Sequence, residues 1–236
     1  MKSHPDAIWL NRRRAAFFII SASFNANEAH EMQDTQRDAG ALIFSRLAMF
    51  NEAVTLFETQ LDPAFWTGFS QCLETFAEEM GWQGEFDLQK RSSCWMSWAK
   101  KEEPVTAWFE AGPVENSGND YFLPLLTGDG VSRSPYGFQF VPDYRHFGGQ
   151  RVVSARLKAV DQALFDTLGE LGFRKNSRGV LFLPVTLDAQ LLAQTWQKYG
   201  EFVPDDEVFA PLHSALEQLK EAVPHFDKLL AVISEK

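Results

Sequence analysis

The sequence predicts an α+β fold, with a central antiparallel meander sheet over about residues 90–157 flanked by N-terminal and C-terminal helices. Three observations carry this expectation. Between Met49 and Met80 apolar residues recur every three or four positions, which is helical spacing. From Arg91 to Leu157 they alternate in short runs broken by Gly, Pro, Asn and Asp, which is strand-and-turn spacing. From Val160 the helical spacing returns. Strands grouped in the middle of a chain, with helices on either side, argue for helices packed on an antiparallel sheet rather than for alternating βαβ units.

In chain order, residues 1–31 stand apart as a leader, signal-like or mobile segment. Arg12, Arg13 and Arg14 precede the apolar run Ala15–Ser23, and Ser21 and Ser23 supply small residues. That is the order of a secretory signal, although Asp6 and the lack of an Ala-x-Ala site depart from it. Met32 and Met49 are alternative starting points for a coherent domain. Residues 26–46 are polar and weakly helical. Phe50, Val54, Phe57 and Leu61 then share one helical face. Asp62 and Pro63 suit the cap and first position of a helix that runs to Met80, and Gly81 suits its end.

Cys94, Met96 and Trp98 share one face of a strand, and Val105, Ala107 and Phe109 one face of the next; Lys100–Pro104 form the charged turn of this hairpin. Tyr121–Leu126 reads as a strand that Pro124 confines to an edge or bulge. Tyr136–Val141 and Gln150–Leu157 read as further strands. Val160, Leu164, Leu168 and Leu171 form a helical stripe closed by Gly172, Val180–Val185 a short apolar strand, and Asp188 caps a helix through Tyr199. The last helical section opens at Asp205 and Asp206, breaks at Pro224 and ends in a short helix bearing Phe226, Leu229 and Ile233. Residues 32–236 are thus expected to form a single α+β domain.

Composition narrows the function classes. Of 236 residues, 45% are hydrophobic and 23% charged, enough apolar material for a sizeable core and too much for a disordered chain. No apolar run reaches the roughly 18 residues of a membrane span. The net charge of −10 disfavours broad binding to nucleic acid, because an acidic surface repels phosphates. Cys72 and Cys94 fit neither a zinc pattern nor a Cys-x-x-Cys pair and read as small buried hydrophobes; pairing them would require an oxidising compartment. The glycine loops and His motifs of nucleotide, metalloprotease and hydrolase sites are missing from the sequence. No cofactor and no metal-ligand set are expected.

Two groups of residues carry the candidate chemistry. In a simple meander, successive loops alternate between the two ends of the sheet, so the loops at 112–120 and 142–149 would share an end. Glu115, Asn116, Asn119 and Asp120 would then approach Asp143, Arg145 and His146, with Arg151 adjoining. In an enzyme, Glu115, Asp120, Asp143 and His146 would supply acid–base or metal-assisted catalysis. Turn chemistry explains the same residue types without any site. Pro142-Asp143 matches half of a magnesium-nuclease element, but the following segment, Gln150–Arg156, lacks the acidic-x-Lys half. The second group is aromatic. Trp95, Trp108 and Tyr121 are expected on the sheet face opposite Trp98 and Phe109, forming with Arg145 and Arg151 a binding surface.

The leading expectation is a non-catalytic, cytoplasmic protein-binding domain, of the inhibitor or immunity type, that docks a basic protein partner through an acidic, aromatic-rich surface. The alternatives are a small hydrolase or metal-dependent enzyme using the loop residues, and a secreted ligand-binding domain exported if residues 1–23 are a signal peptide.

Overall fold

A computed structural model describes residues 26–88, 94–115, 118 and 120–235, with side chains from residue 36 onward. The basic cluster and apolar run of residues 1–25 lie outside the described residues, as do Asn116 and Asn119. The chain divides into two compact units, Met1–Pro63 and Ala64–Lys236.

The first unit is helical where it is described. Helix α1 spans Ala26–Ser45 and helix α2 Leu47–Leu56, with a π-helical turn following at Phe57–Leu61. The helical dihedrals lapse at Arg46 (φ −135°, ψ 36°), and the chain bends there by 92°. Helix α2 buries none of its side chains.

Helix α3 (Asp62–Met80) opens the second unit. Its stop before Gly81, at φ 65°, follows the sequence, but the expected cap at Asp62 does not form: Asp62 has helical dihedrals (φ −61°, ψ −48°) and continues the π-helical turn before it. Six antiparallel strands then form one sheet among the described residues: β1 (Gln83–Glu85), β2 (Cys94–Ser97), β3 (Ala107–Pro113), β4 (Tyr136–Pro142), β5 (Arg174–Lys175) and β6 (Leu181–Pro184). The order β1-β2-β3-β4-β6-β5 makes the first four a meander and extends the sheet to residue 184. The α+β class, with helices before and after an antiparallel sheet, is the observed one.

Two expected strands are helices instead. Phe122–Thr127 is helix α4, starting after Tyr121 and ending at Gly128 in the left-handed region (φ 79°). Pro124 falls in its first turn, where a missing N–H has no intrahelical partner to lose, and Leu125 and Leu126 are buried. Gln150–Leu157 is helix α5. Val153 is buried there and Leu157, four residues on, packs against the core, so helical spacing serves the core where alternation would not.

Helices α6 (Gln162–Glu170) and α7 (Ala189–Tyr199) are capped by Asp161 and Asp188, whose carboxylates accept hydrogen bonds from amides of the first turn. After a 3₁₀ turn at Glu207–Phe209, helix α8 (Ala210–Ser234) runs unbroken through Pro224. The expected break is overridden by packing. An internal proline costs about 3 kcal/mol, whereas Phe226, Leu229 and Ile233 beyond it are each fully buried, at ~1.5–3 kcal/mol per side chain.

The core lies between α3, α8 and one face of the sheet. Phe226 stacks on Phe140 at 4.5 Å and meets Phe109 and Phe173 edge-on, each at 5.1 Å. A second aromatic group joins Phe65, Trp66 and Phe69 of α3 to Phe202, Phe209 and Tyr136. Two glycines permit close approaches: a Cβ on Gly68 would stand 2.6 Å from the Phe202 carbonyl oxygen, and one on Gly137 would meet the Leu183 carbonyl oxygen across the β4–β6 ladder.

Cys72 and Cys94 are buried and unpaired, and burial pushes both thiols up to about 12. The Tyr136 hydroxyl is buried and has no hydrogen-bond partner among the described residues. An unmet buried donor costs roughly 1–3 kcal/mol, so Tyr136→Phe should raise the unfolding free energy by about 1 kcal/mol, read by urea denaturation; a loss of that size would mean the hydroxyl has a partner.

Candidate functional site

The site starts from the pleat of β3. Successive side chains of a strand point to opposite faces, so Ala107, Phe109 and Ala111 enter the core while Trp108 and Glu110 face the other way. Register extends that second face across the sheet. Glu85 lies opposite Trp95, Trp95 opposite Glu110, Glu110 opposite Gln139, Gln139 opposite Phe182, and Phe182 opposite Arg174. Trp108 pairs with Val141.

Trp95 and Trp108 stand edge to face, their centroids 6.4 Å apart and their planes at 64°. The Trp95 Nε1–H donates to Glu85 Oε2 at 3.2 Å, which fixes that indole. Trp95, Val105, Trp108 and Glu110 enclose an open slot of about 420 Å³. Trp95, Trp108 and Glu110 are all half-buried. Two indoles beside a carboxylate suit an organic cation: the carboxylate supplies charge, and the indole faces attract the cation while covering its aliphatic stem. Among the described residues that line it, Trp95, Val105, Trp108 and Glu110, there is no nucleophile and no general acid–base pair.

Of the expected binding residues, Trp95 and Trp108 thus share a face opposite Phe109, and Trp98 packs into the core beside Phe226 (6.2 Å). Tyr121 is not on the sheet; it precedes α4 and is exposed. Arg145 and Arg151 are exposed after β4 and in α5, outside the slot lining. Glu85 and Glu110 went unread, and Val105, expected on the Phe109 face, precedes β3 and lines the slot instead. Glu110 was within reach, two positions from Trp108 on one strand. Glu85 was not, because its place depends on the β1–β2 pairing.

The expected catalytic group is divided. Pro113 pairs with Tyr136 at one end of the β3–β4 ladder and Ala107 with Pro142 at the other. Glu115 and Asp120 follow β3 at the first end. Asp143 and His146 follow β4 at the second, where the Asp143 amide donates to the Thr106 carbonyl oxygen. Each end has local work. Glu115 Oε1 accepts from the Ser177 amide (3.1 Å), and the Glu115 amide donates to Ser134 Oγ. Asp120 Oδ2 accepts from the Ser132 amide (2.7 Å), and Asp143 Oδ1 from the Arg145 amide (3.0 Å). Among the described residues, no group of three or more His, Cys, Asp or Glu side chains is placed to hold a metal ion.

A second cavity, of about 590 Å³, lies in the loop after α4 and is lined by Asp129, Arg133, Ser134 and Thr186 among others. Arg133 adopts φ 53° there, and Asp129 Oδ2 accepts from the Thr127 hydroxyl. These contacts fold the loop upon itself. Comparison with protein-family models, with curated proteins and with solved structures finds no match to this chain.

The two loop carboxylates set an acid response. The Ser177 amide, then its hydroxyl, hold Glu115 below its ordinary value, with Arg178 adding to them against a small effect of burial. Burial acts to raise Asp120, but the hydroxyl and amide of Ser132, with the Val131 amide, together outweigh it and leave Asp120 lowered. Both groups bind protons less readily folded than unfolded. Their stabilisation is therefore present above the unfolded values, about 4.3 and 3.9, and is lost as pH falls through the folded ones. The Glu115→Gln, Asp120→Asn double variant should be less stable than wild type at pH 7 and lose less stability below about pH 4. Parallel stability–pH curves would show that neither carboxylate is specifically held.

Proposed function

We propose that this chain is a non-catalytic protein-binding domain that takes a lysine or arginine side chain of a basic partner into the slot lined by Trp95, Trp108 and Glu110. One observation carries the reading: two half-buried indoles and the Glu110 carboxylate line a single apolar slot on the sheet face opposite the aromatic core. The net charge of −10 supports it from a distance, because an acidic protein draws a basic one into encounter. An inhibitor or immunity-type role, masking a basic surface of another protein, fits both features. The cytoplasm is the compartment that goes with this role. Intact mass of the protein from its native cell tests that part, and removal of residues 1–23 would overturn it.

A titration tests the slot. A short peptide rich in arginine and lysine, followed by heteronuclear NMR, should shift the Trp95 and Trp108 indole resonances saturably, and a glutamate-rich peptide should not. Trp108→Ala should weaken binding about 3–10-fold, the scale of a partly desolvated cation–π contact. Glu110→Gln should weaken it and reduce its salt dependence. Binding that Trp95→Ala, Trp108→Ala and Glu110→Gln all leave unchanged would remove the slot from the interface.

A further inference from the structure

The carboxylate of Glu110 is the unmet group of the slot. It is half-buried on the sheet face away from the core, and it makes no ion pair or side-chain hydrogen bond among the described residues. Both of its cross-strand neighbours direct their donors elsewhere. The Trp95 Nε1–H goes to Glu85 Oε2 at 3.2 Å, and the Gln139 side-chain amide donates to the Pro113 carbonyl oxygen at 3.1 Å. A partly buried charge without a partner is unfavourable, and a cation entering the slot would relieve it.

The rest of the lining decides which cation. Trp95, Val105 and Trp108 offer mostly carbon surface, and Glu110 is the one carboxylate among the four lining residues. A lysine ammonium brings three N–H donors and a guanidinium five, all of them met by water outside the slot. Among the lining side chains only Glu110 can accept them, so part of that hydration is lost without replacement. N-methylation removes the donors and keeps the charge. A trimethylammonium head carries its charge on methyl groups that pack against indole surface, and it needs negative charge nearby rather than an aligned acceptor. The ring planes add a second reason. They are inclined at 64°, so a flat guanidinium can lie along one indole but not both, whereas a compact, rounded head has no plane to match.

We propose that the slot's ligand is an N-methylated lysine of the partner protein, best in its trimethylated form. This inference rests on the reading of the slot as a cation site and narrows it to one chemical class of cation.

Four versions of one short peptide test it, differing at a single central residue: lysine, Nε-trimethyllysine, arginine, and the uncharged analogue of trimethyllysine with carbon in place of the nitrogen. Each is titrated into the full chain and followed at the Trp95 and Trp108 indole resonances. The trimethyllysine peptide should bind about 10-fold tighter than the lysine and arginine peptides, and the uncharged analogue should lose that gain. Glu110→Gln, and Trp108→Phe with its weaker cation–π face, should each reduce trimethyllysine affinity about 3–10-fold with unchanged circular dichroism. Lysine or arginine binding as tightly as trimethyllysine would overturn this inference and leave the cation slot standing. An uncharged analogue that binds as well as trimethyllysine would overturn both, since the slot would then select shape and not charge. Indoles that respond to none of the four peptides would likewise end both readings. Free choline binding as tightly as the trimethyllysine peptide would assign the slot to a small quaternary amine and overturn the choice of a protein-borne ligand.

Discussion

The period of two along β3 is the constraint on which both the core and the slot depend. The strand lies between β2 and β4 and is hydrogen-bonded on both sides. Its pleat sends Phe109 to the aromatic cluster around Phe226 and sends Trp108 and Glu110 to the opposite face. A register slip of one residue would bury the Glu110 carboxylate in place of Phe109 and expel the ring that meets Trp98 and Phe226 at 5.1 Å each. The slot therefore inherits its position from the core: Trp108 and Glu110 stand on a strand that the packing beneath does not allow to shift, and Trp95 on the strand paired with it, which favours a pre-formed site over one built on loops.

The helices hold that strand from the other side. Phe226 touches β3, β4 and Phe173, which lies just before β5, so α8 ties separate parts of the sheet together. The Trp98 indole N–H donates to Asp227 Oδ1 at 2.8 Å, adding a polar tie from the end of β2 to the same helix. At the far end of α8, the Arg156 guanidinium of α5 donates to the Ile233 carbonyl oxygen, one of the terminal acceptors without an intrahelical partner. With α8 fixed along its length, the strain of Pro224 is absorbed rather than expressed as a break.

What was legible in the sequence followed local chemistry. Asp188 announces a helix start, Gly81 and Gly172 the ends of two others, and Trp95, Trp108 and Phe109 betray the two-faced strands by alternation alone. What was not legible depended on parts of the chain that only folding brings together. Val152 and Val153 look like strand residues until Val153 meets the core on a helix, and Pro124 marks a first turn as readily as a strand edge. That one misread element misplaced the loop carboxylates. In a meander, the end to which a loop belongs is set by the parity of the strands before it. Replacing the strand expected at 121–126 by a helix moves the 143–149 loop to the end away from Glu115 and Asp120, and separates the residues that a catalytic site would need together.

Charge and aromatic surface act at different ranges, and that separation bears on how a basic partner would be chosen. A field from 32 acidic against 22 basic residues extends about one Debye length, some 8 Å at physiological salt, and speeds the approach of any basic protein without selecting among them. Selection needs contact. Trp95 and Trp108 line the slot together, and Glu110 is carried on the same strand as Trp108. A guanidinium stacks flat on an indole while keeping its in-plane donors for a carboxylate, whereas an ammonium is a compact charge on a longer apolar stem. The field would therefore govern the rate of encounter and its dependence on salt, and the slot the rate of escape, because short-range packing is lost only as the complex separates. An acidic surface alone would bind many basic proteins briefly; in the proposed role, the indoles beside Glu110 would be what allowed one of them to stay.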